Sequence, residues 1–341
     1  MDETVRVARK LSALQHLGFE RVDVSPVTTQ VDRVDRSTHK VTCARPAMGT
    51  LVSVSALARS QDLAEEAIDR AFAEMDRLIG VFSRFDGASA LCELNDTGKL
   101  GGAPPELSHV LSQSLRYHEL TGGAFDVSVQ PVVDLFHRRT DGSLPTDREL
   151  LEALELVGSQ RIALSRGDIA FERSGMGITL DGIAKGYIVD AIAAVLERCK
   201  IRHYLIDGGG DVRAAGTKEQ KQPWTVAVQD PSKQGRFPDT LHLTGGAVAT
   251  SGSYEIFFDR ERHHHHVVNA KTGRSPVAIQ SVSVVAPSTM AADALATTVF
   301  VMEPDEGLAF IDALPGCECF IIDSDGLQIK TRGWKGAAPV H

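Results

Sequence analysis

Ile178-Thr179-Leu180-Asp181-Gly182-Ile183-Ala184-Lys185-Gly186-Tyr187-Ile188-Val189-Asp190 changes character midway. Ile178, Thr179 and Leu180 are rich in β-formers and predict a strand. Asp181-Gly182 breaks it. Ile183, Ala184, Tyr187, Ile188, Ala191, Ile192 and Val195 then recur at helical spacing. A turn that feeds a helix leaves backbone N–H groups at the helix start, and these with the helix dipole favour an anion such as phosphate. Lys185 falls in the first helical turn, where a cation costs a few tenths of a kcal/mol. A negative ligand would offset that cost; an ordinary strand–turn–helix with a solvated lysine is the alternative.

Composition narrows the class. The chain has 341 residues, 43% of them apolar, and a net charge of −9. That apolar fraction supports a packed core, and the acidic balance disfavours a general nucleic-acid binder, which carries a basic face. It leaves room for an anionic ligand in a local pocket. Cys43, Cys92, Cys199, Cys317 and Cys319 are odd in number, and the C-x-C at Cys317–Cys319 lacks the second pair of a zinc site. A reducing compartment is favoured. There is no apolar run of membrane-spanning length and no secretory h-region after Asp2 and Glu3, so a cytoplasmic location is expected.

Working outward, residues 1–40 read as an N-terminal extension, 41–335 as one large domain and 336–341 as a tail. A strand over 41–56 is interrupted at Ala47-Met48-Gly49-Thr50, where the glycine predicts a bulge or a close backbone approach and Met48 suits core packing. Gln61 to Val81 is amphipathic, with Leu63, Ala67, Ala71, Met75 and Leu78 on one face. Ser89 to Asn95 reads as a polar loop able to line a pocket. Pro105 to Leu120 predicts a helix stopped by Thr121-Gly122-Gly123. Asp126, between apolar residues after that turn, either holds a ligand or caps the turn or the next helix. Arg161–Ala163 and Asp168–Phe171 predict a hairpin.

Downstream, His203–Ile206 is an apolar strand ending in Asp207-Gly208-Gly209-Gly210-Asp211, and Val212–Gly216 reads as a further strand rather than a helix. That order disfavours a dinucleotide-binding Rossmann turn. Strands are expected at Trp224–Gln229, Thr240–Leu243, Ala247–Thr250, Ser253–Phe258 and His264–Val268. The run His263 to His266 cannot ligate one ion with all four side chains, because successive strand residues face opposite sides. It reads as a partly incidental surface run from which one member could move a proton. Ser281–Ala286 predicts a strand and Thr289 the start of a helix, on which Asp293 and Thr297 share a face. A carboxylate and a hydroxyl form a plausible half-shell for Mg²⁺, although such pairs also occur by chance.

The order Ala47–Thr50, Ser83 with Ser89–Asn95, Gly122–Val129, Asp181–Asp190, Asp207–Asp211, Ala249–Ser253, His266–Gly273 and Met290–Thr298 resembles the FAD:protein FMN transferase family, ApbE, over residues 44–333. The resemblance implies a mixed α/β domain of antiparallel sheets with flanking helices and a core related to the T-fold. It also implies an Mg²⁺-dependent enzyme that cuts FAD at its pyrophosphate. FMN then passes to a Thr or Ser hydroxyl of a flavoprotein bearing a D-x-x-[S/T]-G-A-T-like segment, and AMP is released. Met48, Phe85, Ala124, Phe125, Asp126, Thr179, Lys185 and Val267 would line FAD. The Gly182 carbonyl, Asp293 and Thr297 would hold Mg²⁺. His266 and Lys185 would be catalytic, with His266 moving the proton, and helix starts near Gly182 and Thr289 would add N–H groups. Hydrolysis of FAD to FMN and AMP, or non-catalytic flavin binding in redox-enzyme maturation, are the alternatives. Thr179 stands where the family often has Asp, and Asp181 displaces that carboxylate by two residues. The family is commonly exported and lipid-anchored.

Overall fold

The computed structural model describes residues 28–139, 143–228, 231, 237–253, 265 and 267–337. Its strands are β1 (Thr28–Arg33), β2 (His39–Ala47), β3 (Thr50–Ala58), β4 (Lys99–Leu100), β5 (Ile162–Ser165), β6 (Asp168–Phe171), β7 (His203–Asp207), β8 (Val212–Ala215), β9 (Trp224–Ala227), β10 (Thr240–Leu243), β11 (Gly245–Gly252), β12 (Ile279–Ala286), β13 (Glu318–Asp323), β14 (Gln328–Lys330) and β15 (Gly336–Ala337). Its α-helices are α1 (Gln61–Phe82), α2 (Ala90–Thr97), α3 (Pro105–Leu120), α4 (Gln130–His137), α5 (Asp147–Leu154), α6 (Ala184–Arg198), α7 (Thr289–Phe300) and α8 (Pro304–Asp312).

One sheet of nine strands, ordered β1-β2-β3-β7-β8-β11-β12-β13-β14, organises the molecule, and its strand pairs are antiparallel. Side-chain alternation gives it two apolar faces. On one face Val52, Val54, Tyr204 and Ile206 pack against Ala64, Ile68 and Met75 of α1 and Ile188 and Ile192 of α6. Further along that face, Ala249, Val282 and Val284 pack against Leu295, Val299 and Phe300 of α7. On the other face Val212 and Val248 meet Trp224, Leu241 and Leu243 of a second sheet, ordered β15-β10-β9. In β11 the neighbours Val248 and Ala249 thus face opposite layers. The mixed α/β fold with antiparallel sheets and flanking helices is as expected.

Several local expectations are corrected. Ile178–Leu180 is not a strand despite its composition. The Asn95 side chain takes the Ile178 backbone instead, its Oδ1 accepting from the N–H at 2.8 Å and its Nδ2 donating to the carbonyl at 2.9 Å. The Thr179 N–H donates to the Val127 carbonyl at 2.8 Å. The segment is thus held by a side chain and a loop, not by a ladder. Met48-Gly49 interrupts the strand as expected, dividing it into β2 and β3, but as a tight turn rather than a bulge or a close backbone approach. Ala47 pairs with Thr50, leaving a two-residue hairpin turn in which Met48 and Gly49 have φ of 51° and 76°, as a primed turn requires. Ser89–Asn95 is mostly helical, because the Ser89 hydroxyl accepts from the Cys92 N–H and starts α2. Leu63 lies off the buried face of α1 and is exposed, whereas Ala64 and Ile68 are buried.

Residue 40 falls inside β2, and β1, whose six residues are all exposed, is the edge of the main sheet. Gly336 and Ala337 pair with β10 as β15. The strand expected at Ser253–Phe258 falls, beyond Ser253, outside the described residues, and Val267 and Val268 are in no strand. The five cysteines are free thiols, and no helix among the described residues is long and apolar enough to cross a membrane.

Candidate functional site

The crossing of α6 with α7 builds the site. Gly186, in the first turn of α6, lies against the first residues of α7: a Cβ there would stand 2.4 Å from the Thr289 carbonyl oxygen and 2.8 Å from the Met290 Cα. Only glycine permits that approach. The contact brings Asp293, one turn into α7, to the start of α6, where its Oδ2 accepts from the Gly186 N–H at 3.0 Å. Both helix starts are therefore filled from within the chain. Asp293 supplies the anion at α6. The Asp190 carboxylate supplies it at α7, accepting from the Thr289 and Met290 N–H groups at 2.9 Å each. The expectation that the Thr289 N–H would be available to a ligand is thus corrected.

Gly182 and Thr297 also converge. A Cβ at Gly182 would lie 2.8 Å from the Thr297 Oγ1, and the Ser251 hydroxyl at the end of β11 lies 3.4 Å from the same oxygen. Asp293 is buried; burial pushes its carboxyl well above the ordinary value of 3.8, nearby Asp211 adds to this, and Lys185 and the Gly186 N–H oppose it. Lys185 reaches Asp211 at 3.3 Å. Carboxylate, hydroxyls and irregular backbone at one point are the hard oxygen donors that Mg²⁺ takes, and a bound cation would reverse the strain of a buried carboxylate. The residues present fit such an ion. No group of three or more acidic, His or Cys side chains that could hold a metal converges among the described residues.

The other expected residues sit around this point in different ways. Met48, in the hairpin turn, packs on the core. Phe85 is exposed, and the Arg84 guanidinium lies 4.3 Å over its ring. Arg84 in turn pairs with Asp181 at 2.8 Å. The displaced carboxylate thus holds the Arg84–Phe85 loop. Thr179 is half-buried, and its hydroxyl accepts from the Asp181 N–H at 3.3 Å. Phe125 is buried against Tyr117, with ring centroids 5.9 Å apart, so its side chain belongs to the core. Ala124 is half-buried in the turn before it.

Asp126 is the start of a 3-10 turn: its Oδ1 accepts from the Ser128 N–H, the Ser128 hydroxyl and the Ser159 hydroxyl at 2.8, 2.5 and 2.6 Å. His118 Nδ1 lies 3.2 Å from its Oδ2. Burial raises the Asp126 pKa, but the bonds from His118, Ser128 and Ser159 outweigh it and leave the carboxyl below its ordinary value. Of the two open readings the capping role is the one its geometry displays. Val267 packs beside α7. His266 lies outside the described residues. Its neighbour His265 is buried, and its Nε2 is 2.9 Å from the Pro276 carbonyl oxygen. The sequence alone assigns no role to Asp211 and Ser251, which pair with Lys185 and Thr297. The Asp that closes the three-glycine turn was the available signal for the first.

The ApbE family model matches residues 48–321, and the chain belongs to that family. It is similar to the FAD:protein FMN transferase of Vibrio cholerae, 29% identical over 292 residues covering 82% of this chain and 86% of the relative. The FAD:protein FMN transferase of Treponema pallidum is 30% identical, covering 76% of this chain and 77% of the relative. Among solved structures, the ApbE protein of Thermotoga maritima aligns with a TM-score of 0.76 at 28% identity, covering 90% of this chain and 97% of that one. The flavin transferase ApbE of Vibrio cholerae aligns at 0.71 and 25%, covering 90% and 98%.

Proposed function

We propose that this protein is an FAD:protein FMN transferase that moves FMN from FAD to a Ser or Thr hydroxyl of a target flavoprotein. The observation that carries the reading is the convergence of Gly182, Asp293 and Thr297 beside the Lys185–Asp211 pair. These are the positions that the family resemblance assigned, drawn from segments more than a hundred residues apart.

In the reaction the acceptor oxygen bonds to the FMN-side phosphorus. The bond from that phosphorus to the bridging oxygen breaks, and AMP leaves with the bridging oxygen and its electron pair. Such a displacement needs charge neutralised on the phosphoryl oxygens and an in-line hydroxyl. Mg²⁺ at Gly182, Asp293 and Thr297 would supply Lewis-acid stabilisation. Lys185 neutralises charge beside the pyrophosphate, and Asp211 fixes its ammonium. The Arg84–Phe85 stack, held by Asp181, forms an aromatic platform for an adenine or flavin ring. The hydroxyl proton goes to His266 by the resemblance.

Intact-mass spectrometry of an acceptor domain incubated with the protein, FAD and Mg²⁺ tests this. One FMN added per acceptor, lost on chelation, is expected. Free FMN and AMP without acceptor modification would instead make the protein an FAD hydrolase, and intact FAD would make it a flavin-binding accessory.

A further inference from the structure

Strand β9 is an outer strand of the three-stranded sheet, across β10 from β15. The Val228 N–H donates to the Asp239 carbonyl at 2.9 Å, on the β10 side. Residues of the same parity, Trp224 and Val226, turn their backbone groups to β10, so Thr225 and Ala227 turn theirs outward. Among the described residues no strand pairs with that outer edge. Free edges invite another strand, and proteins usually blunt them.

A cavity of about 480 Å³ borders this edge. The consecutive residues Thr225 to Val228 all line it, so both side-chain directions are represented and the backbone edge itself faces the space. The opposite wall is the sheet face at Leu205, Val212 and Val248. Thr50, Gly209 and Gly210 close one end. Gly209 has φ +78°, and a Cβ there would lie 2.1 Å from the Thr50 Oγ1, so the turn and the hairpin must meet bare.

That end abuts the site. Asp211, which holds Lys185, follows Gly210, and Ser251, which reaches Thr297, follows the lining residue Thr250. Met48 and Phe125, expected on the FAD side, pack on the helical face of the sheet, and the cavity lies on the other. Donor and acceptor would then approach from opposite sides of one glycine turn, as in-line displacement requires. Asp207, the acidic side chain of this lining, already accepts from the Gly209 and Gly210 N–H groups at 2.8 and 3.0 Å.

We propose that this groove seats the acceptor segment of the target flavoprotein as an added strand on β9, with its hydroxyl delivered past Gly209-Gly210. The proposal rests on the transferase reading above. Backbone bonds to Thr225 and Ala227 would give the affinity, and pockets for alternate side chains the selectivity. Along its length the groove presents large apolar side chains such as Leu205, Val228, Phe237 and Leu241, and only the end at Thr50, Gly209 and Gly210 is lined by small residues; that end is where the small residues of a Ser/Thr-Gly-Ala-Thr segment would fit.

The test uses the whole chain, FAD, Mg²⁺ and an acceptor domain carrying a D-x-x-[S/T]-G-A-T segment. Hydrogen exchange at the Thr225 and Ala227 amides should slow at least tenfold on adding the acceptor and stay unchanged on adding FAD alone. Ala227→Pro removes one outward N–H at a strand edge, where proline is tolerated. It should raise the acceptor KM about tenfold or more and leave the FAD KM unchanged. Transfer by the wild type without slowed exchange at β9 overturns the groove, whether or not the variant folds, and so does an unchanged acceptor KM in a folded Ala227→Pro. Absence of any FMN gain by the wild type overturns the transferase reading itself, and the groove's assignment with it.

Discussion

The backbone N–H of Gly186 donates to Oδ2 of Asp293 at 3.0 Å across 107 positions of sequence. The bond makes the first turns of α6 and α7 one unit. It sets Lys185 and Asp293 side by side without needing them to touch. A carboxylate that serves one helix start as its anion is also aimed at the place where a cation would sit.

Gly186→Ala tests this unit. Its Cβ would meet backbone, the Thr289 carbonyl carbon at 2.7 Å, which cannot rotate away. Overpacking of that kind costs about 1–3 kcal/mol. A lower thermal midpoint is expected, with a parallel loss of transfer activity. An unchanged midpoint would mean that the two helices are not in contact at this point.

The cation assignment predicts a thermal shift. A ligand that binds only the folded state at a hundred times its Kd stabilises by about 2.7 kcal/mol. Millimolar Mg²⁺ should raise the wild-type midpoint, and EDTA should reverse the rise. Asp293→Asn keeps an acceptor for the Gly186 N–H but removes the charge, so it should fold as well as the wild type in EDTA, respond weakly to Mg²⁺ and lose Mg²⁺-dependent turnover. A full Mg²⁺ response in this variant would move the cation elsewhere.

Gly182→Ala makes a narrower claim. The new methyl would stand 2.8 Å from the Thr297 Oγ1 and 3.0 Å from its Cγ2. Thr297 must rotate, and its hydroxyl leaves the cation position. Titration calorimetry should show Mg²⁺ affinity down about tenfold or more, and circular dichroism an intact fold. Equal affinity would remove Thr297 and Gly182 from the donor set.

His118 and Asp126 give the fold a pH dependence. The bond to Asp126 raises the His118 pKa above its ordinary 6.5, and burial opposes this in part. A raised folded value means stability that is fully present below pH 6.5 and is lost as pH rises through the folded value. Asp126, held low, contributes above 3.8 and loses its share as pH falls below that. The pair is thus strongest between those two values. His118→Gln should lower the midpoint more at pH 5.5 than at pH 8.5. A penalty independent of pH would mean that His118 acts there only as a neutral donor.

Much of the layout was legible in the sequence. Pro105, with no side-chain cap, and the Gly122-Gly123 stop bound α3 at the expected ends, because both signals are local. Asp293 and Thr297 lay four apart on an apolar helix, and that spacing alone placed them on one face. Ile178–Leu180 was misread because β-rich composition records burial, and here Asn95, 83 residues upstream, satisfies the backbone. Phe125 and Asp126 look alike as site residues in sequence. Only the packing shows the ring against Tyr117 and the carboxylate bonded to Ser128 and Ser159. Asp211 and Ser251 needed partners that no local pattern names.

The nine sheet strands follow chain order from one edge to the other, with a long excursion after β3 that returns at β7. Gly182 and Lys185 ride on that excursion; Asp211, Ser251, Asp293 and Thr297 belong to what is synthesised afterwards. A nascent chain halted on the ribosome after α6 would hold one arm of the vice without its opposing jaw. The two halves of the candidate site are thereby kept apart until α7 has been made.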